Sequence, residues 1–176
     1  HGTRFSVVRY GNVMGSRGSV VPFFMSLEKT EDIPITNPDM TRFMITLEQG
    51  VELVWKAFED MEGGEIYVRK IPSIKLTDIA KAIHPKAKQK IIGTRPGEKL
   101  HEQMISVEDA EHTYEYANHY KILPSINDWC NDINRIKDGI KVPRGFSYVS
   151  DTNSSWMKPC DLKRWIQENP LAVGSH

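Results

Sequence analysis

The stretch from Val7 to Ser19, Val-Val-Arg-Tyr-Gly-Asn-Val-Met-Gly-Ser-Arg-Gly-Ser, constrains this chain more than any other. The apolar run Phe5 to Val8 reads as a buried strand. Val20 to Glu28 then reads as a helix, with Ser19 as its N-cap and Pro22 tolerated in the first turn. A strand, a glycine loop and a helix together offer backbone N–H groups and a positive dipole end to a phosphate. Arg17 adds a planar fork of charged donors. The glycines stand at 11, 15 and 18, whereas a dinucleotide fingerprint needs G-x-G-x-x-G and an acidic residue about 20 positions on. A phosphate loop of another kind and a plain tight turn both stay open, since glycines after strands also serve conformation alone.

At 176 residues the chain fits one domain with a sizeable core. Its 23 basic and 23 acidic residues cancel, so charge gives no case for a nucleic-acid or membrane partner. No apolar run approaches the ~20 residues of a membrane span. The chain opens at His1 almost directly in a strand, and we expect a fragment of a longer protein. Cys130 and Cys160 lack C-x-x-C spacing, which suits a reduced, intracellular protein. His101-Glu102 begins like H-E-x-x-H, but position 105 is Ile105, and His112 and His119 have no cysteine pair beside them. No metal site is expected.

Further along, Ile33 to Thr36 reads as a short strand and Asn37-Pro38-Asp39 as a turn. Met40 to Ile45 leads into a helix whose N-cap is Thr46, with Gln49 completing a capping box. Val51, Val54, Trp55, Phe58 and Met61 recur at helical spacing and read as its core stripe. Gly63-Gly64 ends that helix. Glu65 to Lys70 reads as a strand, Thr77 to Ile83 as a capped helix stopped by Pro85, and Gln89 to Gly93 as a strand. A short helix is expected near Val107 to His112, capped by Ser106, then a hairpin around Asn118. Pro124 to Gly139 reads as loop. Phe146 to Val149 alternates, Asp151 to Trp156 is a polar loop, and Leu162 to Glu168 is helical with a frayed tail to His176. The pattern is α/β with irregular insertions, and no linker marks a second independent domain.

Four polar clusters remain once the apolar periodicities are set aside: Asn12 with the Arg17–Val21 loop, Thr41-Arg42, the turn Arg95-Pro96-Gly97-Glu98-Lys99, and the Asp151–Trp156 loop. Three arginines on separate loops suit a doubly charged anion such as a diphosphate. Each cluster also has a structural reading. Arg42 could pair with Asp39 or Glu48, Arg95 with Glu98, and Asn12 could satisfy loop backbone. No G-x-S-x-G elbow, P-loop or Tyr-x-x-x-Lys pair occurs. The sequence supplies a binding surface and no catalyst.

Arg9-Tyr10-Gly11-Asn12-Val13, Gly15 to Pro22, Met40-Thr41-Arg42-Phe43 and Arg95-Pro96-Gly97-Glu98-Lys99-Leu100-His101-Glu102 together resemble the inverting UDP-N-acetylglucosamine 4,6-dehydratases of pseudaminic acid synthesis, which are extended short-chain dehydrogenase/reductases. The late stretch Gly145-Phe146-Ser147-Tyr148 with Asp151-Thr152-Asn153 and Trp156 resembles the same branch. The likeness runs from about Thr3 to Ile166 and covers the C-terminal half of such an enzyme. It implies an α/β chain, residues 1–176 being the remainder of a Rossmann domain interleaved with a UDP-sugar-binding subdomain. Phe5–Val8 and Glu65–Lys70 would then be sheet strands, and the residues between and after them a lid over the sugar.

The family's NADP fingerprint and its catalytic Tyr-x-x-x-Lys belong to the half missing here. The resemblance therefore implies a lyase when complete, a fragment inactive alone, NADP held mainly by the other half, and a cytoplasmic homo-oligomer. In the family's chemistry C4 of the sugar is oxidised, water is lost across C5 and C6, hydride returns to C6, and C5 is inverted. Carried over residue by residue, Asn12 would contact the UDP-sugar and Val13 the nicotinamide. Arg17, Gly18, Ser19, Val20 and Val21 would hold the nucleotide, Arg42 and Arg95 the diphosphate–nucleoside end, and Asn153 would join from the last loop. Two other readings stay open: a non-catalytic UDP-sugar-binding or assembly module, and a related capsule-type UDP-sugar epimerase or dehydratase. A half-Rossmann exposes strand edges and an apolar sheet face, so we expect poor solubility in isolation.

Overall fold

The computed structural model describes residues 2–28, 32–126 and 129–169. The side chain of Cys130 and the tail expected after Pro170 lie outside the described residues. In chain order the elements begin β1 (Val7–Arg9), β2 (Asn12–Val13), α1 (Val20–Ser26), β3 (Ile33–Ile35), β4 (Thr41–Ile45) and α2 (Leu47–Asp60). Next come β5 (Ile66–Arg69), β6 (Ser73–Lys75), α3 (Leu76–Ile83), β7 (Gln89–Ile91), β8 (Gln103–Ile105), β9 (Thr113–Glu115) and β10 (His119–Ile122). The last are α4 (Ile133–Ile136), β11 (Ile140–Lys141), β12 (Tyr148–Val149) and α5 (Pro159–Glu168).

These elements form two compact units, each drawn from three separate stretches of chain. The first comprises His1–Tyr10, Thr46–Ile71 and Gln103–Val149. Its sheet has the order β1-β5-β10-β9-β11. β1 runs parallel to β5, with Val8 opposite Tyr67, and the remaining pairs are antiparallel. A parallel pair needs a crossover, which α2 supplies. Thr46 caps it as its sequence predicts: the Gln49 N–H donates to Thr46 Oγ1 at 3.2 Å, and Gln49 Oε1 accepts from the Thr46 N–H at 3.2 Å.

The buried face of α2 is not the predicted one. Gly50, Leu53, Ala57 and Asp60 face inward, where Leu53 and Ala57 pack on Tyr67 with Val8 and Met61 beside them. Val51, Trp55 and Phe58 are 47, 64 and 63 % exposed. Beneath the helix, Asp60 accepts from Lys121 at 2.7 Å and from the Tyr67 hydroxyl at 2.9 Å, and Lys137 completes the cluster. Burial alone would raise the Asp60 carboxyl, but the bonds from Lys121, Lys137 and Tyr67 outweigh it and hold the group well below the usual carboxylate range. A second buried carboxylate, Glu65, pairs with Arg135 and accepts from the backbone of Glu62 and Gly63.

The second unit comprises Gly11–Ile45, Pro72–Glu102 and Ser150–His176. Its main sheet has the order β2-β4-β6, with β2 parallel and β6 antiparallel to β4. The run 40–45, expected only as a lead into α2, is therefore a central strand. Thr41, Phe43, Met44 and Ile45 are all buried, the near-continuous pattern of a strand covered on both faces. β3 and β7 make a separate parallel pair. Val21 and Phe24 of α1, Ile79 and Ala80 of α3 and Leu162 of α5 close one core with Ile33, Ile35 and Ile74.

Smaller differences have local causes. Ser19 occupies the N-cap position of α1 but makes no side-chain cap bond. The N-cap of α3 is Lys75 rather than Thr77. Within the expected loop 124–139 lies α4, capped by Asp132 Oδ1 accepting from the Asn134 N–H at 2.9 Å.

Candidate functional site

Every residue the sequence nominates lies in the second unit, and three of them, Asn12, Val13 and Arg42, are on its three-stranded sheet. Asn12 and Val13 form β2, opposite Met44 and Ile45 of β4. The approach before β2 is close: a Cβ on Gly11 would stand 2.5 Å from both the Phe43 carbonyl oxygen and the Phe43 Cβ, so only glycine fits. Asn12 is exposed and Val13 half-buried. The loop then turns through Gly15 and Gly18, whose φ angles are 76° and 74°.

Arg17 and Gly18 stand exposed at the tip of that loop. The Ser19 hydroxyl is buried, and among the described residues it has no hydrogen-bond partner. Such an orphaned donor costs about 1–3 kcal/mol until something satisfies it. The Val21 side chain is wholly buried in the core, so Val20 and Val21 can meet a ligand chiefly through the free N–H groups that open a helix.

Arg42, on β4, is only 16 % exposed, and its donors are directed inward. Its Nη1 donates to the carbonyls of Thr41 at 2.7 Å and Leu100 at 3.2 Å, and its Nε lies 3.5 Å from Glu102 Oε1. The carboxylate partner is thus Glu102, neither Asp39 nor Glu48. Arg95 stands exposed on its turn. There Glu98 Oε2 accepts from the Arg95 backbone N–H at 3.0 Å and Gly97 takes φ 85°. The Glu98 carboxylate thereby shapes the turn. The strap from Arg95 to Glu102 rejoins the sheet where the Thr41 N–H donates to the Leu100 carbonyl at 3.0 Å.

Asn153 is anchored to the other side of β4's partner. Its Nδ2 donates to Ser73 Oγ at 3.0 Å and to the Ser155 carbonyl at 2.9 Å. Its own carbonyl accepts from Trp156 Nε1 at 2.7 Å.

Sequence reasoning missed a polar chain behind Arg42. Thr41 Oγ1 lies 2.8 Å from His101 Nδ1 and 2.6 Å from Ser150 Oγ. Ser150 Oγ also accepts from the Glu102 N–H at 2.8 Å. The Thr41 hydroxyl thus bridges Ser150 and His101, and Ser150 ties them to the Glu102 backbone. His101 Nε2 lies 3.8 Å from Asp151 Oδ2. Thr41 and Ser150 are 2 and 0 % exposed, so the chain fixes the strap and cannot attack a substrate. Its signal was present in His101-Glu102 and in Asp151, but hydroxyls 109 residues apart cannot be paired from spacing. No cluster of metal-ligating side chains occurs among the described residues.

Residues 1–124 match the family described as polysaccharide biosynthesis protein. The chain is 55 % identical over 167 residues to the UDP-N-acetylglucosamine 4,6-dehydratase (inverting) of Campylobacter jejuni subsp. jejuni serotype O:2, covering 91 % of this chain and 50 % of that protein. It is 43 % identical over 125 residues to the UDP-glucose 4-epimerase of Rickettsia bellii, covering 68 % of this chain and 37 % of that one. Among solved structures, the X-ray structure of Pen from Bacillus thuringiensis superposes with a TM-score of 0.80 at 29 % identity, covering 96 % of this chain and 51 % of that one. The chain therefore spans about half the length of the curated relatives it matches. No helix among the described residues is long and apolar enough to cross a membrane.

Proposed function

We propose, from the premise that this chain belongs to the polysaccharide biosynthesis protein family, that it is the UDP-sugar-binding half of an NADP-dependent, C5-inverting UDP-N-acetylglucosamine 4,6-dehydratase. On this reading the complete protein is a cytoplasmic, homo-oligomeric lyase acting toward pseudaminic acid. The parallel pairing of β1 with β5 supports assigning both strands to a Rossmann sheet. The observation that carries the reading is the orphaned Ser19 hydroxyl in the glycine loop, beside the exposed Arg17 and the free N–H groups of Val20 and Val21. Donors unsatisfied inside a protein are what an anionic nucleotide satisfies.

In this reading Arg17, Gly18, Ser19 and the backbone of Val20 and Val21 hold the UDP phosphates, and Arg95 approaches from its turn. Arg42 acts by holding the strap through Leu100 and Glu102, which sets where Arg95 stands. Asn12 orients the sugar and Asn153 borders it. Val13 offers apolar surface to the nicotinamide of NADP, which when bound supplies hydride transfer at the sugar; the rest of the cofactor would be held outside this chain. Nothing in these residues serves as a proton donor to the reacting carbons, which suits a fragment inactive alone.

Calorimetric titration with UDP tests the binding. Binding should weaken at least about tenfold, roughly 1.4 kcal/mol, in Arg17→Ala and in Ser19→Ala. Titration with no heat, or with both variants unchanged, refutes the reading. The similarity to a UDP-glucose 4-epimerase favours an epimerase as second reading. Fusing this chain to the residues of the C. jejuni relative that it does not match, then identifying the product from UDP-N-acetylglucosamine, separates the two. A 4-keto-6-deoxy sugar supports the dehydratase, a 4-epimer the alternative, and binding without product a non-catalytic module.

A further inference from the structure

The first unit carries a pocket of about 360 Å³ that no residue of the nucleotide reading lines. Its size suits a small ligand, since such sites run from roughly 300 to 1,000 Å³. α2 contributes Leu53 and Lys56, β5 contributes Arg69, and the hairpin of β9 and β10 contributes Tyr116, Asn118 and His119. Hydrogen bonds hold these walls in place before anything binds. Glu52 accepts from Arg69 Nη2 at 2.9 Å, and the Tyr116 hydroxyl donates to the Ile136 carbonyl at 2.6 Å. The turn of the hairpin is closed by the Tyr116 N–H donating to the His119 carbonyl at 2.9 Å, and the Lys70 N–H donates to the Asn118 carbonyl at 3.1 Å.

The fold leaves a set of donors unused in this pocket. Arg69 gives one N–H to Glu52 and keeps the rest of its guanidinium fork. The Lys56 ammonium and the Asn118 amide are exposed and make no hydrogen bond or ion pair among the described residues. His119 is 8 % exposed, and its Nε2 is buried with no partner among the described residues. Burial first, then Lys56 and Lys121, push this imidazole down to about 4, although Asp60 pulls the other way. The ring is therefore uncharged near neutral pH, and the potential around it is positive. A positive pocket containing a buried ring nitrogen without a partner is suited to receive an anion. Leu53, 1 % exposed, adds an apolar wall that strengthens polar contacts made beside it.

We propose that this pocket binds a small phosphate, free or carried on a hydroxylated molecule, through Lys56, Arg69, Asn118 and His119 Nε2. The donors come from α2, β5 and the hairpin separately, which suits a tetrahedral oxyanion with acceptors on several sides. A planar carboxylate calls instead for a whole guanidinium fork, and Glu52 already holds part of the one on Arg69. Lys56 and Arg69 together oppose a cation. Asp138, the acid of the lining, is exposed and accepts from a hydroxyl of the molecule that carries the phosphate. The proposal uses no residue of the glycine loop and stands apart from the nucleotide reading.

The test is titration of the 176-residue chain with inorganic phosphate, followed through the imidazole nitrogen resonances of His119. They should move saturably, while sodium chloride at equal ionic strength leaves them in place. Lys56→Ala and Asn118→Ala should each weaken the response at least about tenfold with unchanged circular dichroism, and Lys163→Ala, on α5, should not. Arg17→Ala separates phosphate taken up by the glycine loop and should leave the His119 response intact. Resonances that stay still, move equally with chloride, move alike in Lys56→Ala and Asn118→Ala, or respond only while Arg17 is present would each overturn the proposal. Glycerol phosphate distinguishes the two sources of the anion. Binding at least about tenfold tighter than inorganic phosphate, and weakened by Asp138→Asn, supports a hydroxylated carrier; equal binding supports the free ion. A His119 response without UDP binding defeats the nucleotide reading alone, and UDP binding without that response defeats the pocket alone.

Discussion

Asp60 and His119 illustrate how single residues of the first unit tie its stability to pH. Asp60 sits between Lys121, 1 % exposed, and Lys137. Asp60→Asn would leave Lys121 charged and buried, and breaking such a pair costs about 3–5 kcal/mol, to be read from urea unfolding. His119 stacks on Tyr116 with ring centroids 4.6 Å apart. Burial first, then Lys56 and Lys121, push its imidazole down to about 4. The unfolded chain binds that proton near pH 6.5, so between about 6.5 and 4 the unfolded state holds more protons and stability falls as the solution is acidified. The depressed Asp60 carboxyl adds a further loss as pH falls below its ordinary value. His119→Phe should flatten the decline in melting temperature across pH 6.5 to 4; an unchanged slope would rule His119 out as its source. Residues of this kind were the least legible from sequence. Arg42 was marked as charged and well placed, yet its partner, Glu102, lies sixty positions on, and only the fold brings the two together.

At the scale of elements, local chemistry was legible wherever it is written in adjacent residues. Thr46 and Gln49 spelled their capping box, and Thr46→Ala should cost about 1 kcal/mol, measurable as a lowered denaturation midpoint. The face of α2 was misread because the helix carries two apolar stripes. The inward one is made inconspicuous by Gly50 and Ala57, while the outward one carries Val51, Trp55 and Phe58. Periodicity reports that a stripe exists and not which neighbour it meets. β4 was missed because a strand buried on both faces does not alternate. The turn into β2 makes the opposite case, where one glycine is dictated by sterics. Gly11→Ala drives a methyl group into Phe43, and overpacking of this kind costs about 1–3 kcal/mol; an unchanged urea midpoint would contradict the tight approach.

For the whole molecule, the α/β class and the order of the site segments could be read from the sequence, and the division into two interleaved units could not. Spacing carries no record of which distant stretches fold together. The chain passes between units directly, as where β4 ends at Ile45 and α2 begins at Leu47. Loss of one unit therefore releases anchored ends of the other, and both should unfold in one transition. Trp156 and Trp165 belong to the second unit, Trp55 and Trp129 to the first. Fluorescence of a variant carrying Trp55→Phe and Trp129→Phe should follow the same urea curve as circular dichroism. Separate midpoints would show that the units are independent.

The interleaving also sets a timetable for synthesis. The first unit lacks β9, β10 and β11 until the stretch ending at Val149 has been made, and the second lacks α5 until Glu168 has been added. Neither can close until the stretches of the other that interrupt it have been made, so the nascent chain carries unpaired strands through that interval. Those strands are exposed to aggregation throughout that interval, which makes the growing polypeptide, more than the finished one, the natural client of a chaperone.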